Sequence, residues 1–156
     1  MKSKNLFPLI KADLERWRKE KSTLPGIIAN TAVNFYSANF QKGGFVDSSL
    51  KKWKPRKAQD YKGKGKNRKV DTRNRGVLIG KGSGNKLSRS IKKQSVTSSR
   101  IVIGSTVTYA GVHNYGLRSG RGKGFQMPQR QFIGPSKALS NKLIKLIQRR
   151  INKSFG

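Results

Sequence analysis

At 156 residues the chain has room for one domain with a moderate core. It carries 36 Lys and Arg against 6 Asp and Glu, a formal charge of +30, and its hydrophobic share is 33%, below the ~45–50% usual for globular domains. The lack of cysteine excludes disulfides and thiolate metal sites, no apolar run nears the ~20 residues of a spanning helix, and the lysine-rich start lacks the apolar stretch of a secretory leader.

The first element is a short amphipathic helix within 1–23. Ile10, Leu14 and Trp17 recur over residues 8–20 at helical spacing, and Pro8 suits a first turn. "STLPG" predicts a break, after which Ser22 or Thr23 caps a second helix with Pro25 in its first turn. Ile28, Ala32, Phe35, Tyr36 and Asn39 share one side of that helix, Phe40 borders them, and Gly43-Gly44 ends it. Residues 51–75 hold twelve Lys and Arg and almost no apolar side chains, which predicts a long, mobile basic loop.

From residue 76 the pattern shifts toward short strands. "GVLIG" is a brief apolar run. "LSRSIKKQSV" reads as a strand with Leu87, Arg89 and Ile91 on one face, and "SRIVIGS" as a clearer one, with a turn at Ser98-Ser99 between them. Tyr109, Val112 and His113 fall at helical spacing in a short helical turn ended by Gly116, and 117–125 form a second basic, glycine-rich loop. A last amphipathic helix spans 135–153, with Pro135 at its first position. Leu139, Leu143, Leu146, Ile147 and Ile151 make its stripe, and Arg150 falls inside the stripe, where it either snorkels or faces a partner. The order predicts a single α+β domain over 1–156. In it a small antiparallel sheet of about three to four strands packs with N-terminal helices and a long C-terminal helix, and long basic loops flank the sheet.

His113 is the only histidine, and none of the six acidic residues lies beyond residue 71. No H-x-x-x-H, D-x-D or nucleophile motif accompanies it, so the sequence points to packing or hydrogen bonding rather than proton transfer. No catalytic, metal-binding or cofactor residue is assigned. "GKGSG" at 80–84 lacks the spacing of a phosphate-binding P-loop and reads as a turn. A charge of +30 calls for a polyanion, an acidic partner or a crowded assembly. Interleaved with Trp53 and Tyr61, the cations of 51–75 suit phosphate contact with base stacking, or docking on an acidic protein surface.

Taken together, "FVDSSLKKWKPRK", "VLIGKGSGNKLSRSI", "IVIGSTVTYAGVHNYG" and "PQRQFIGPS", followed by an amphipathic helix, resemble the tailed-phage virion morphogenesis family, also called tail completion or Mu-type morphogenesis proteins. The likeness spans roughly 27–151. Its most specific part is the Tyr-Ala-x-x-His-x-x-Gly run followed by Pro-x-Arg-x-Phe-x-Gly. Trp53, Gly104, Tyr109, Ala110, His113, Gly116, Pro128, Arg130, Phe132 and Gly134 map onto that structural signature. The chain departs from the family's Thr-Gly turn at Lys81-Gly82-Ser83-Gly84 and is unusually basic.

The resemblance implies a non-enzymatic virion protein of the neck or upper tail, assembled in the bacterial host cytoplasm. It would act in tail completion and head–tail joining as a subunit of an oligomeric ring, six-membered as one arrangement. Its partners would be other neck and tail proteins, such as head-closure, terminator or tail-tube proteins, with genomic double-stranded DNA passing through the ring and no membrane. The alternative is a basic nucleic-acid-binding protein of DNA packaging or the ribosome.

Contact candidates for either reading are Lys51, Lys52, Lys54, Arg56, Lys57, Lys62, Lys64, Lys66, Arg68, Lys69, Arg118, Arg121 and Lys123. The expectation is that the loops meet acidic protein neighbours, since a ring through which DNA slides gains little from gripping phosphates. Glutamine at Lys62, Lys64 and Lys66 together is then expected to block joining of tails to filled heads in an in vitro assembly assay. A triple variant that joins them normally, while its duplex-DNA affinity loses about two to three units of log–log salt slope, would overturn that expectation.

Overall fold

The computed structural model describes residues 6–55, 76–79 and 86–155. Helix α1 runs Leu6–Lys42 without interruption, so the predicted break at "STLPG" does not occur. Pro25 lacks the N–H that would reach the Lys21 carbonyl, a loss that usually kinks a helix. Here the Ser22 and Thr23 hydroxyls do not cap a new helix. They turn back to the carbonyls of Lys19 and Glu20 at 2.8 and 3.0 Å. Helix α3, Lys137–Phe155, then braces α1 on both sides of the proline. Arg150 bonds Glu20 on one side, and Leu139 and Leu143 pack in the cluster of Ala32 and Tyr36 on the other. Tertiary contact overrides the local signal.

Among the described residues the strands form three separate antiparallel hairpins rather than one sheet. Strand β1 (Gly44–Val46) pairs with β2 (Leu50–Lys52). Strand β3 (Ile91–Val96) pairs with β4 (Ile101–Ser105) through the Ser98-Ser99 turn, with an irregularity between Lys93 and Ser95. After helix α2 (Ala110–Tyr115), the predicted second basic loop contains a third hairpin, β5 (Arg118–Ser119) with β6 (Phe125–Gln126). The α+β class holds.

Two predicted strand segments are turns. Gly76–Ile79 closes with the Ile79 amide on the Gly76 carbonyl, which lets Val77 and Leu78 pack on the core. Leu87–Arg89 is a 3-10 turn, and the Ser90 amide and hydroxyl both bond the Leu87 carbonyl. That turn buries Leu87 without strand alternation, and Arg89 does not share a strand face with Ile91. Helix α3 starts at Lys137 and not at Pro135, and Ser136 caps it, its hydroxyl accepting the Leu139 amide at 3.1 Å.

The core lies against the C-terminal half of α1. Phe40, 2% exposed, sits between the rings of Trp53 and Phe132 at centroid distances of 5.5 and 5.1 Å. Leu87, Ile91, Ala110 and Leu139 complete the cluster. Pro25→Ala restores the missing N–H and is expected to stabilise the isolated chain by about 1–2 kcal/mol, net of the gain in unfolded-state freedom. Urea unfolding checks this, and a lower midpoint would show that packing of the proline ring outweighs the restored bond.

Candidate functional site

Residues 130–134 cross the core in neither helix nor strand, yet Arg130 and Phe132 are buried. Buried backbone must find hydrogen-bond partners. Among the described residues no strand pairs with it, and this segment takes most of its partners from side chains. Asn114, 5% exposed, receives the Phe132 and Ile133 amides on one oxygen at 2.9 and 3.1 Å. Asn39, fully buried, donates to the Phe132 carbonyl at 3.1 Å. Trp53 Nε1 donates to the Gln131 carbonyl at 2.6 Å, and the Tyr36 hydroxyl to the Gly134 carbonyl at 2.9 Å. Burial raises the Tyr36 phenol above its ordinary pKa, so Tyr36 remains a donor. The Arg130 amide closes the strap on the His113 carbonyl at 2.8 Å.

The ends of the strap are anchored to other elements. Arg130 Nε donates to the Lys54 carbonyl at 3.1 Å and a terminal nitrogen reaches that of Pro55 at 3.5 Å. The buried guanidinium thus grips the chain where the basic stretch begins. At the far end the Ser136 hydroxyl donates to the Val46 carbonyl at 2.9 Å. Asp47 then caps α3 from outside: its carboxylate accepts the Lys137 amide and its carbonyl the Ala138 amide, both at 3.0 Å.

A model of the phage virion morphogenesis family matches residues 15–152 of this chain. The chain belongs to that family. The match takes in the strap and every element that clasps it. No curated protein and no solved structure matches.

Within this family member, most of the signature residues recognised in the sequence gather around the strap. Trp53, Arg130, Phe132 and Gly134 are in it or bound to it. Ala110 is buried at the start of α2, Tyr109 precedes it, and the Tyr109 ring meets the His113 ring edge-on at 5.9 Å. Gly116 ends α2 at φ +67°, and a Cβ there would sit 2.9 Å from the Gln129 backbone nitrogen, so both conformation and space demand glycine. Pro128 is half-buried just before Arg130. Gly104 stands apart in β4 opposite Lys92, where the Gln94 amide overlies it.

The described contact candidates lie on two hairpins. Lys51 and Lys52 are exposed on β2, with Lys51 3.5 Å from Asp47, and Lys54 is exposed beside them. Arg118, Arg121 and Lys123 are exposed on the third hairpin, next to Tyr115 at 67% and Phe125 at 56% exposure. Arg56, Lys57, Lys62, Lys64, Lys66, Arg68 and Lys69 lie outside the described residues, as does the predicted turn at 80–84. Among the described residues no group of three His, Cys, Asp or Glu is placed to hold a metal ion, and no helix is long and apolar enough to cross a membrane.

The sequence reading missed Asn114, Ser136 and Asp47 as binding groups. Asn39 did leave a signal, as an amide on an otherwise apolar helix face.

The Asp47 carboxyl is held below its ordinary pKa, first by the Lys137 amide and then by the nearby lysine charges. A depressed folded-state pKa adds stability that is complete above the unfolded value of about 3.9 and is lost as pH falls through the folded value. Asp47→Asn keeps an acceptor without the charge. It is therefore expected to lower stability at neutral pH and to lessen the loss on acidification below about pH 4. Urea midpoints measured stepwise from neutral to acid check this. Parallel curves for the two proteins would exclude a charged cap.

Proposed function

We propose that this virion morphogenesis protein is a non-enzymatic ring subunit of the phage neck or upper tail, which completes the tail and joins it to the filled head. Family membership over residues 15–152 carries the reading. The geometry supports it in two ways. Asn39, Asn114, Trp53, Tyr36 and Arg130, polar side chains of the interior, are engaged in holding backbone. Cationic and apolar side chains are left facing outward on both ends of the chain, which suits a subunit that buries two different surfaces against neighbours.

The alternative, a nucleic-acid-binding protein, is favoured by the third hairpin, where exposed Arg118, Arg121 and Lys123 adjoin exposed Tyr115 and Phe125. In the ring reading the same hairpin meets an acidic neighbour.

Phage made without this protein are expected to accumulate DNA-filled heads and separate tails, countable by negative-stain microscopy. Supplying the purified protein to such a lysate is expected to restore joined particles. Normal joined particles in its absence would overturn the reading, and so would a block before the heads are filled, which a DNA-packaging role predicts.

A further inference from the structure

The two long helices of this chain carry their charge differently. The first half of α1 intersperses Asp13, Glu15 and Glu20 among its cations. Helix α3 has no carboxylate side chain at all. On its exposed side Lys142, Lys145, Arg149 and Lys153 follow at three, four and four residues, the spacing that sets side chains in one row. Asn141, Gln148 and Asn152, also exposed, form a second row beside it at seven and four residues. The exposed Ile144 and Ile151 fall roughly 150° round the helix from the mean direction of the cations.

Like charges at these spacings weaken a helix, and an ordinary surface helix relieves them with Glu or Asp one turn away. The macrodipole favours a cation in the last turn, which accounts for Lys153 but not for Lys142 or Lys145. Arg150, turned toward α1, pairs with Glu20 at 2.9 Å. Among the described residues none of the four cations in the row makes an ion pair.

We propose that this face of α3 lies along duplex DNA, held by phosphate charge without reading sequence. The row spans about 16 Å, a length of duplex that carries about ten phosphate charges. The amide row adds donors for phosphate oxygens. Composition separates DNA from a protein partner. The centre of a protein interface is rich in aromatic side chains and Arg and poor in Lys, which describes Tyr115, Phe125 and Arg118 at the third hairpin. The α3 row has three lysines and no aromatic ring, and nucleic-acid interfaces are polar and strongly positive. Lysines also lack the forked grip of Arg, so a duplex can slide past them. A second copy of this chain is a poor partner for the row, with six carboxylates against 36 cations. The proposal rests on the ring-subunit reading and names the surface that meets the passing genome.

A chain with Lys142→Gln, Lys145→Gln, Arg149→Gln and Lys153→Gln loses the row and keeps good helix formers. In anisotropy titrations of a short mixed-sequence duplex, its log–log salt slope is expected to fall by about three to four units. Its urea midpoint is expected to stay level or rise, because like charges are removed. A charge-matched control at exposed positions of α1, Lys11→Gln with Arg18→Gln, Lys19→Gln and Lys21→Gln, is expected to change the slope by less than about one unit. The chain has no cysteine of its own. A Lys145→Cys chain bearing a photoactivated maleimide is therefore expected to cross-link to DNA in filled, joined particles. Equal slope losses in the two quadruple variants would mean diffuse attraction, and a cross-link to protein alone would mean an acidic neighbour. Either result would overturn the proposal and leave the ring reading standing. Joined particles that contain no copy of this chain would overturn both.

Discussion

The fold depends on a short buried strap whose backbone pairs with no strand among the described residues. Leaving the amides and carbonyls of residues 131–134 unbonded in the core would cost about 1–3 kcal/mol each. Asn114, Asn39, Trp53 and Tyr36 remove that cost from three sides. Because the clasping residues come from α1, α2 and the position just after β2, satisfying the strap also fixes α1, α2 and the start of the basic stretch relative to one another. The strap leads directly into the Ser136 cap, so the position of α3 follows from the same bonds.

This economy suits a chain with little apolar content. Two-stranded hairpins are marginal alone, and here three of them are distributed around one long helix rather than joined in a sheet. The apolar core is essentially one cluster around Phe40. Side chain to backbone bonds do much of the joining that a continuous β-ladder does elsewhere. His113 belongs to that framework: its carbonyl holds the strap at Arg130, and its ring packs edge-on to Tyr109. The signature run is best understood as the means of closing the core.

The outward surfaces carry the opposite character. Cations cover α3 and the tip of the third hairpin, while the first turns of α1 expose three large apolar side chains on one seam. A free monomer gains nothing from either. In the ring subunit proposed above, neighbours on the two flanks and the duplex along α3 would cover both.

The amino-acid sequence alone was enough for the α+β class, the C-terminal helix, the Ser98-Ser99 turn, the Gly116 stop and the family. Each of these is written in local period, in a turn residue or in an ordered motif. It also marked Trp53, Arg130 and Phe132 without showing what they touch. Tertiary structure decided the rest. Pro25 reads as a break because its local effect is unfavourable, and only the bracing by α3 on both sides of it makes one helix of Leu6–Lys42. The partner of Arg150 is Glu20, 130 residues away. Asn114, Ser136 and Asp47 bind groups that lie 18 to 90 residues distant, and no local pattern encodes a bond whose acceptor is brought near only by folding.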